Sequence, residues 1–338
     1  MKKCFIAFDE VASLENLAQA WQEFIKGKRN KKDVQVFALN LADEFVDLHD
    51  CLMDGSYEHG PYAHFRINDP KPRDIHKAAV RDRLLHHAIH RKLYPYFVEH
   101  FVRDSFSCQT GKGLHRAINR FRDMGRKVSK NSSHGCWVLK CDIRKFFASV
   151  DHAVLIGILR KSIKDEKLVN LLKCVIMSFE AVPGKGIPLG NLTSQLFSNV
   201  YMNVFDQFVK RRLEARYYVR YADDFVFLSD RRDVLEQTLP KLVDFLHERL
   251  KLTMHPDKIS IKTFASGIDF LGWIHFPRHR VPRAKTKKRA LKRNRLELRV
   301  EILHSYLGIF FHGNAHEVQK QLKNDYWLFA DLQDVDEI

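Results

Sequence analysis

Apolar positions along the chain change period from one stretch to the next, and the periods mark out elements. Leu17, Trp21 and Phe24 recur at helical spacing behind Ser13, a residue able to cap a first turn, so a helix is expected there, stopped by the basic loop 26–32. Residues 62–67 alternate like a strand and end at Asp69-Pro-Lys-Pro-Arg73, where two prolines forbid helix and set an extended basic turn. A helix is expected over about 80–93. Residues 137–141 form a short apolar strand running into Asp142, and Asp151 then caps a helix with Val154, Leu155, Ile158 and Leu159 on its buried face. The Gly/Pro-rich loop 183–190 leads into a helix with Leu196, Val200, Val204 and Phe208 as its inward stripe. Residues 217–228 are two β-rich runs hinged at Ala222-Asp223, the pattern of a hairpin with acids at its tip.

Charge changes this picture most. The 338 residues carry 57 Lys+Arg against 41 Asp+Glu, a formal net charge of +16, while 45% hydrophobic and 12% aromatic content exclude a disordered polycation. A folded chain this basic is expected to meet a polyanion, and this length suggests two or three structural units. No stretch approaches the ~18–20 apolar residues of a membrane span. The opening Met1-Lys2-Lys3 precedes an apolar run that Asp9 interrupts too soon for a signal peptide, so an intracellular, cytoplasmic protein without a membrane role is expected. Six cysteines without a C-x-x-C pair are expected to be reduced and mostly buried. Residues 278–299 hold eleven cations against one acid, Glu297, and read as a basic helix facing a polyanion. Residues 331–338 read as a frayed acidic tail.

Three acids stand where unpaired charge is expensive. Asp142 ends an apolar strand, and Asp223 and Asp224 lie between two apolar strand runs. Alone, an Asp-Asp pair is usually a solvated turn. Buried together, three carboxylates need cations, and hard oxygen donors suit two Mg²⁺ ions, with Mn²⁺ as substitute, the device for in-line displacement at phosphorus.

In context these acids belong to an ordered set of motifs: Leu139-Lys-Cys-Asp-Ile-Arg-Lys-Phe-Phe147, Ile187-Pro-Leu-Gly-Asn-Leu-Thr-Ser-Gln195, Tyr221-Ala-Asp-Asp224, His255-Pro-Asp-Lys-Ile259 and Phe270-Leu-Gly-Trp273. On them the chain, over about residues 60–320, resembles the reverse transcriptases. The resemblance implies an α+β right-hand polymerase: fingers from 1–110 and 150–190, a palm with an antiparallel sheet from 111–149 and 191–276, and a short basic helical thumb with the acidic tail from 277–338. It implies Asp142, Asp223, Asp224 and the Ile143 carbonyl as metal ligands. Lys71 and Arg73 would grip the incoming deoxynucleotide triphosphate, and Phe147 would be a steric gate under its sugar, or alternatively a core aromatic. Lys258 would be a general acid, or a surface lysine. Phe270, Leu271 and Gly272 would form the primer grip, with Gly272 favoured by close backbone approach. Arg283, Lys285, Lys287, Lys288, Arg289, Lys292 and Arg293 would lie along the template RNA and primer or cDNA. Arg81-Asp82-Arg83 reads as a structural ion-pair cluster.

In the loop motif Leu189 and Gln195 depart from the Q-G-x-x-x-S-P of many reverse transcriptases and resemble the enzymes of diversity-generating retroelements, while the retained Gly190 would let the loop approach the nascent base pair. The stretch from Ser305-Tyr-Leu-Gly308 through His312-Gly-Asn-Ala315 to Val318 resembles the same enzymes. That subclass implies error-prone copying at template adenines and a small, basic, pentameric helical accessory protein. The runner-up is a group II intron-like or defence-associated prokaryotic reverse transcriptase, the former expected to carry a longer maturase region. A non-catalytic RNA-binding protein on a polymerase fold would be expected to lack one of the three carboxylates.

Overall fold

The protein is described here by a computed structural model that covers residues 4–68 and 72–333, and every structural statement concerns those residues. Lys71, with Asp69 and Pro70, and the end of the tail from Asp334 lie outside the described residues.

The N-terminal part is helical. After α1 (Phe8–Ala12), Ser13 caps α2 (Leu14–Phe24) by accepting the Asn16 N–H at 3.2 Å, as expected. Then come α3 (Lys32–Leu39) and α4 (Leu41–Asp54), which pack with α2 around α5 (Val80–His100). Helix α5 runs past the expected end near Leu93. Pro95 forfeits an N–H there, but Leu93 and Phe97 on either side are buried, and that packing outweighs the lost bond. The expected strand forms as β1 (Ala63–Ile67), paired antiparallel with β2 (Arg73–Lys77) from Ala63↔Lys77 to Ile67↔Arg73. Its whole length is exposed, so the alternation there marks a paired arm and not a core-facing strand.

The centre is a sheet in the order β4-β5-β3-β6, antiparallel throughout, made of β3 (Trp137–Asp142), β4 (Tyr218–Tyr221), β5 (Asp224–Ser229) and β6 (Ser260–Thr263). Side chains alternate across it. Leu139, Cys141, Phe225 and Phe227 join the large core shared with α10 (Leu192–Arg211) and α11 (Arg232–Leu250). Val138, Val226 and Leu228 face the other way, against Phe121 of α6 (Leu114–Val128) and Phe264 and Phe270. Between β3 and α10 lie α7 (Phe146–Ser149), α8 (His152–Ser162) and α9 (Glu166–Met177). Asp151 caps α8 through the Val154 N–H at 3.0 Å. Of the expected inward faces, Leu155, Leu159, Leu196 and Val200 are buried, while Val154, Ile158, Val204 and Phe208 are half-buried at the edges of their contacts.

A smaller antiparallel sheet, β7 (Ile268–Phe270), β8 (Trp273–His275) and β9 (Arg280–Pro282), leads to α12 (Ala284–Leu296), α13 (Val300–Phe310) and α14 (His316–Gln333). The basic stretch 278–299 is therefore not one helix. Its first part is the edge strand β9, in which Arg280 is buried, and acids from elsewhere answer it: Arg283 meets Asp269, and Arg295 meets Asp325 at 2.7 Å. No helix is long and apolar enough to cross a membrane. The six cysteines are free; Cys4, Cys136 and Cys141 are buried, Cys51 and Cys174 half-buried and Cys108 exposed.

Candidate active site

The three acids meet at one end of the central sheet. Strands β3 and β5 are in register through Asp142↔Asp224, and β4 and β5 close on Tyr221↔Asp224, which leaves Ala222-Asp223 as a two-residue turn with Ala222 at φ +54°. Asp142 is buried. Burial first, and then Asp142, raise the Asp223 carboxyl above its usual range, with Lys258 and Arg73 pulling the other way. Asp224 is pushed up to about 7 by burial and by Asp223 and Asp142, with a hydrogen bond to the Asp142 carboxylate. Crowded carboxylates behave this way when only a proton is available to separate them.

Asp142 also accepts from Lys258 Nζ at 2.7 Å, so Lys258 is not a free surface lysine. The Asp142 carbonyl accepts the His255 N–H at 2.8 Å, and the Arg144 N–H reaches the Thr253 carbonyl at 2.9 Å. Ile143, bridged to Met254 between those two bonds, keeps its carbonyl out of that ladder. Among the described residues no three or more His, Cys, Asp or Glu side chains form a ready-made metal cage. The donor set nonetheless suits a hard dication. It is all oxygen, and the upward shifts of Asp223 and Asp224 are what an added positive charge would reverse.

The other expected residues fall into two groups. Arg73 opens β2 with an exposed side chain whose charge is felt at Asp223 and Tyr221. The Leu189 carbonyl accepts the His76 N–H of β2 at 3.1 Å, and Gly190, at φ +113°, lies so close to Ile75 that an added Cβ would sit 2.9 Å from its Cγ2. The close approach expected of Gly190 is thus to the β1–β2 arm. Gly190 and Gln195 share a cavity of about 390 Å³ with Phe65, Ile75 and Lys77. Phe147 is not among its lining residues. It is half-buried, its ring edge-on to Phe146 at 5.3 Å and its carbonyl accepting the Ile187 N–H at 2.8 Å.

At the expected primer grip, Phe270 pairs with Trp273 across a two-residue turn, with Leu271 at φ +51° and Gly272 at φ +89°. Nothing lies within 4 Å of a Cβ added to Gly272. No protein atom approaches Gly272 closely, and the turn's positive φ by itself favours glycine there. On α12, Lys285, Lys288 and Lys292 are exposed on one face, whereas Lys287, Arg289 and Arg293 are half-buried and Arg283 and Arg293 are engaged with Asp269 and Glu297. Arg81, Asp82 and Arg83 do not pair with one another. Arg81 meets Asp47, Arg83 meets Asp33, and buried Asp82 accepts the Tyr57 hydroxyl at 2.7 Å.

Sequence reading missed the residues that hold the acidic turn. Arg220, in β4, and Asp206, in α10, are fully buried; Nε and Nη2 of Arg220 reach the two Asp206 oxygens at 2.7 and 2.6 Å. The same carboxylate accepts the Tyr218 hydroxyl at 2.7 Å, while Arg220 Nη1 donates to the Ala222 carbonyl at 3.0 Å and Nη2 to Ser105 Oγ at 3.0 Å. The available signal was a lone charge inside each of two otherwise apolar runs, which must find a partner.

The sequence profile of the family described as "Reverse transcriptase (RNA-dependent DNA polymerase)" matches residues 68–275. "Protein YkfC" of Escherichia coli K12 is 26% identical over 287 residues, covering 73% of each chain. "Group II intron-encoded protein LtrA" of Lactococcus lactis subsp. cremoris is 22% identical over 325 residues, covering 75% of this chain and 52% of LtrA. Among solved structures, telomerase from Candida albicans in complex with a fragment of telomeric RNA superposes with a TM-score of 0.51 at 12% identity, over 82% of this chain and 58% of that one. The chain thus spans about half the length of LtrA and somewhat more of the telomerase.

Proposed function

Since the chain belongs to the reverse transcriptase (RNA-dependent DNA polymerase) family, we propose that it extends a primer on an RNA template, with Asp142, Asp223 and Asp224 as its catalytic carboxylates. Its antiparallel α+β architecture is that of a right-hand polymerase. The observation that carries the proposal is the convergence of the three acids at one sheet end, in register and with two of them shifted upward. Asp142, Asp223, Asp224 and the Ile143 carbonyl would hold Mg²⁺, or Mn²⁺ in its place. When bound, such ions activate the primer hydroxyl and neutralise the triphosphate.

The chain's own residues do the rest. Arg73, with Lys71, grips the triphosphate by charge-assisted hydrogen bonds. Phe147 limits space beneath the sugar. Lys258 Nζ, already beside Asp142, supplies a proton to the departing pyrophosphate. The fingers (1–110, 150–190), palm (111–149, 191–276) and thumb (277–338) divide these tasks, and the exposed lysines of α12 follow the template-primer backbone.

Within the family we assign the chain to the diversity-generating retroelement type, acting with a small basic pentameric partner. The support is Leu189 in the loop before α10 with Gln195 in the first turn of that helix, and the bond of the loop to β2, the strand that carries Arg73. An aliphatic residue at 189 takes a hydrogen-bonding amide away from the nucleotide site and loosens base selection. Similarity to LtrA favours the second reading, a group II intron-like enzyme. Primer extension on poly-rA and on a natural RNA with Mg²⁺ tests the activity. The wild type should extend and Asp223→Asn should not; extension by that variant would refute the carboxylate assignment.

A further inference from the structure

At the opposite end of β8 from the Leu271-Gly272 turn, four arginines and a histidine from three parts of the chain face one recess. Arg122 and Arg126 come from α6, Arg278 and Arg280 from the β8–β9 turn and β9, and His312 from the loop before α14; together they line about 160 Å³. Arg280 is only 9% exposed. Its Nε donates to the His312 carbonyl and its Nη2 to Asn119 Oδ1 at 2.9 Å, but its buried Nη1 has no hydrogen-bond partner among the described residues. The neighbouring acid, Asp123, is engaged by Arg122 at 3.0 Å, and among the described residues no acid pairs with Arg126 or Arg278. Burial and Arg122 hold the Arg280 guanidinium below its ordinary value, and burial, His115 and Arg280 do the same to His312.

Four guanidinium groups around a recess with one carboxylate repel one another, and a buried donor left unpaired costs about 1–3 kcal/mol. An oxyanion bearing several acceptors would satisfy the free Nη1 and offset the shared charge, and the forked arginine donors match phosphate geometry. We propose that this recess binds phosphate, and that its occupant is one backbone phosphate of a nucleic-acid strand. The choice of a strand over a free phosphate rests on the polymerase reading. A three-residue strand spans about 10 Å at ~3.3 Å per residue. A nucleic-acid strand held at the Leu271-Gly272 turn and running along β8 would reach the recess about three phosphates on, at ~3.4 Å of axis each.

The test uses the full chain and the double variant Arg126→Gln, Arg278→Gln, both side chains being exposed and outside the catalytic machinery. Melting temperature is measured while inorganic phosphate replaces chloride at constant ionic strength. Binding of an RNA–DNA duplex oligonucleotide is measured across a salt series without divalent metal. Phosphate should raise the melting temperature of the wild type and not of the variant. The slope of log K against log salt should fall by about 0.9 for one lost phosphate contact. Equal phosphate effects on both proteins, or none on either, would overturn the site. A phosphate effect lost in the variant with an unchanged salt slope would overturn the strand as occupant and leave free phosphate. Neither measurement needs turnover, so both stand apart from whether primer extension is observed.

Discussion

Asp206→Asn keeps the shape of its side chain and removes its charge, which makes it the sharpest probe of how the acidic turn is held. The Arg220 and Asp206 side chains are 1% and 0% exposed, so the change leaves a guanidinium buried without its counter-charge. Breaking one side of such a pair costs about 3–5 kcal/mol. With an unfolding entropy of about 0.7 kcal/mol/K for a chain of this length, the melting temperature should fall by about 4–7 °C in a thermal scan. A companion variant separates stability from chemistry. Asp206→Leu with Arg220→Met replaces both charges by apolar groups and should recover most of that loss, less about 1–3 kcal/mol for the Tyr218 hydroxyl left without its acceptor. It also removes the Nη1 donor from the Ala222 carbonyl, in a turn whose non-glycine residue sits at φ +54°. Turnover in primer extension should therefore stay down by at least about tenfold, equivalent to about 1.4 kcal/mol at the transition state, while KM for nucleotide changes little. A shift below about 1 °C in Asp206→Asn, or full turnover in the companion, would refute the reasoning.

Phe147→Ala should lower the preference for deoxynucleotides over ribonucleotides by about tenfold or more in kcat/KM, since about 1–3 kcal/mol of discrimination is typical of a steric wall. Unchanged discrimination would return Phe147 to the core. Leu189→Gln should reduce misincorporation opposite template adenine, read by sequencing the cDNA; an unaltered error spectrum would remove the support for the retroelement type. Stability should fall in acid. Burial pushes His86 and His275 down to about 3, so the native state keeps them neutral while the unfolded chain takes up protons below about 6.5. Stability from these groups is complete above pH 6.5 and is lost as pH drops towards 3, so the melting temperature should decline steadily from pH 7 to pH 4. A flat profile over that range would show that the two rings are not held neutral.

The strands that carry the three acids were legible because their signals are local. Residues 137–141 and 224–229 are apolar runs, and an acid at the end of such a run stands out whatever the rest of the chain does. The Arg220–Asp206 clamp was not legible, because the identity of each partner depends on α10 lying across the sheet, which no period within either element encodes. The Leu271-Gly272 turn lacks the Asn-Gly or Asp-Gly that usually marks a two-residue hairpin, so its positive φ was not legible in the sequence. The basic segment shows the same limit in charge. Locally it has one acid, but Asp269 and Asp325 arrive from other elements and pair with two of its arginines. What a net charge of +16 means thus depends on tertiary placement. Some cations are spent within the fold, some line one face of α12, and those around Arg280 are left facing a recess with too few acids to answer them. The last two sets are placed to attract a polyanion, and they do so at different places, which is why the salt dependence of binding can be dissected by substitution.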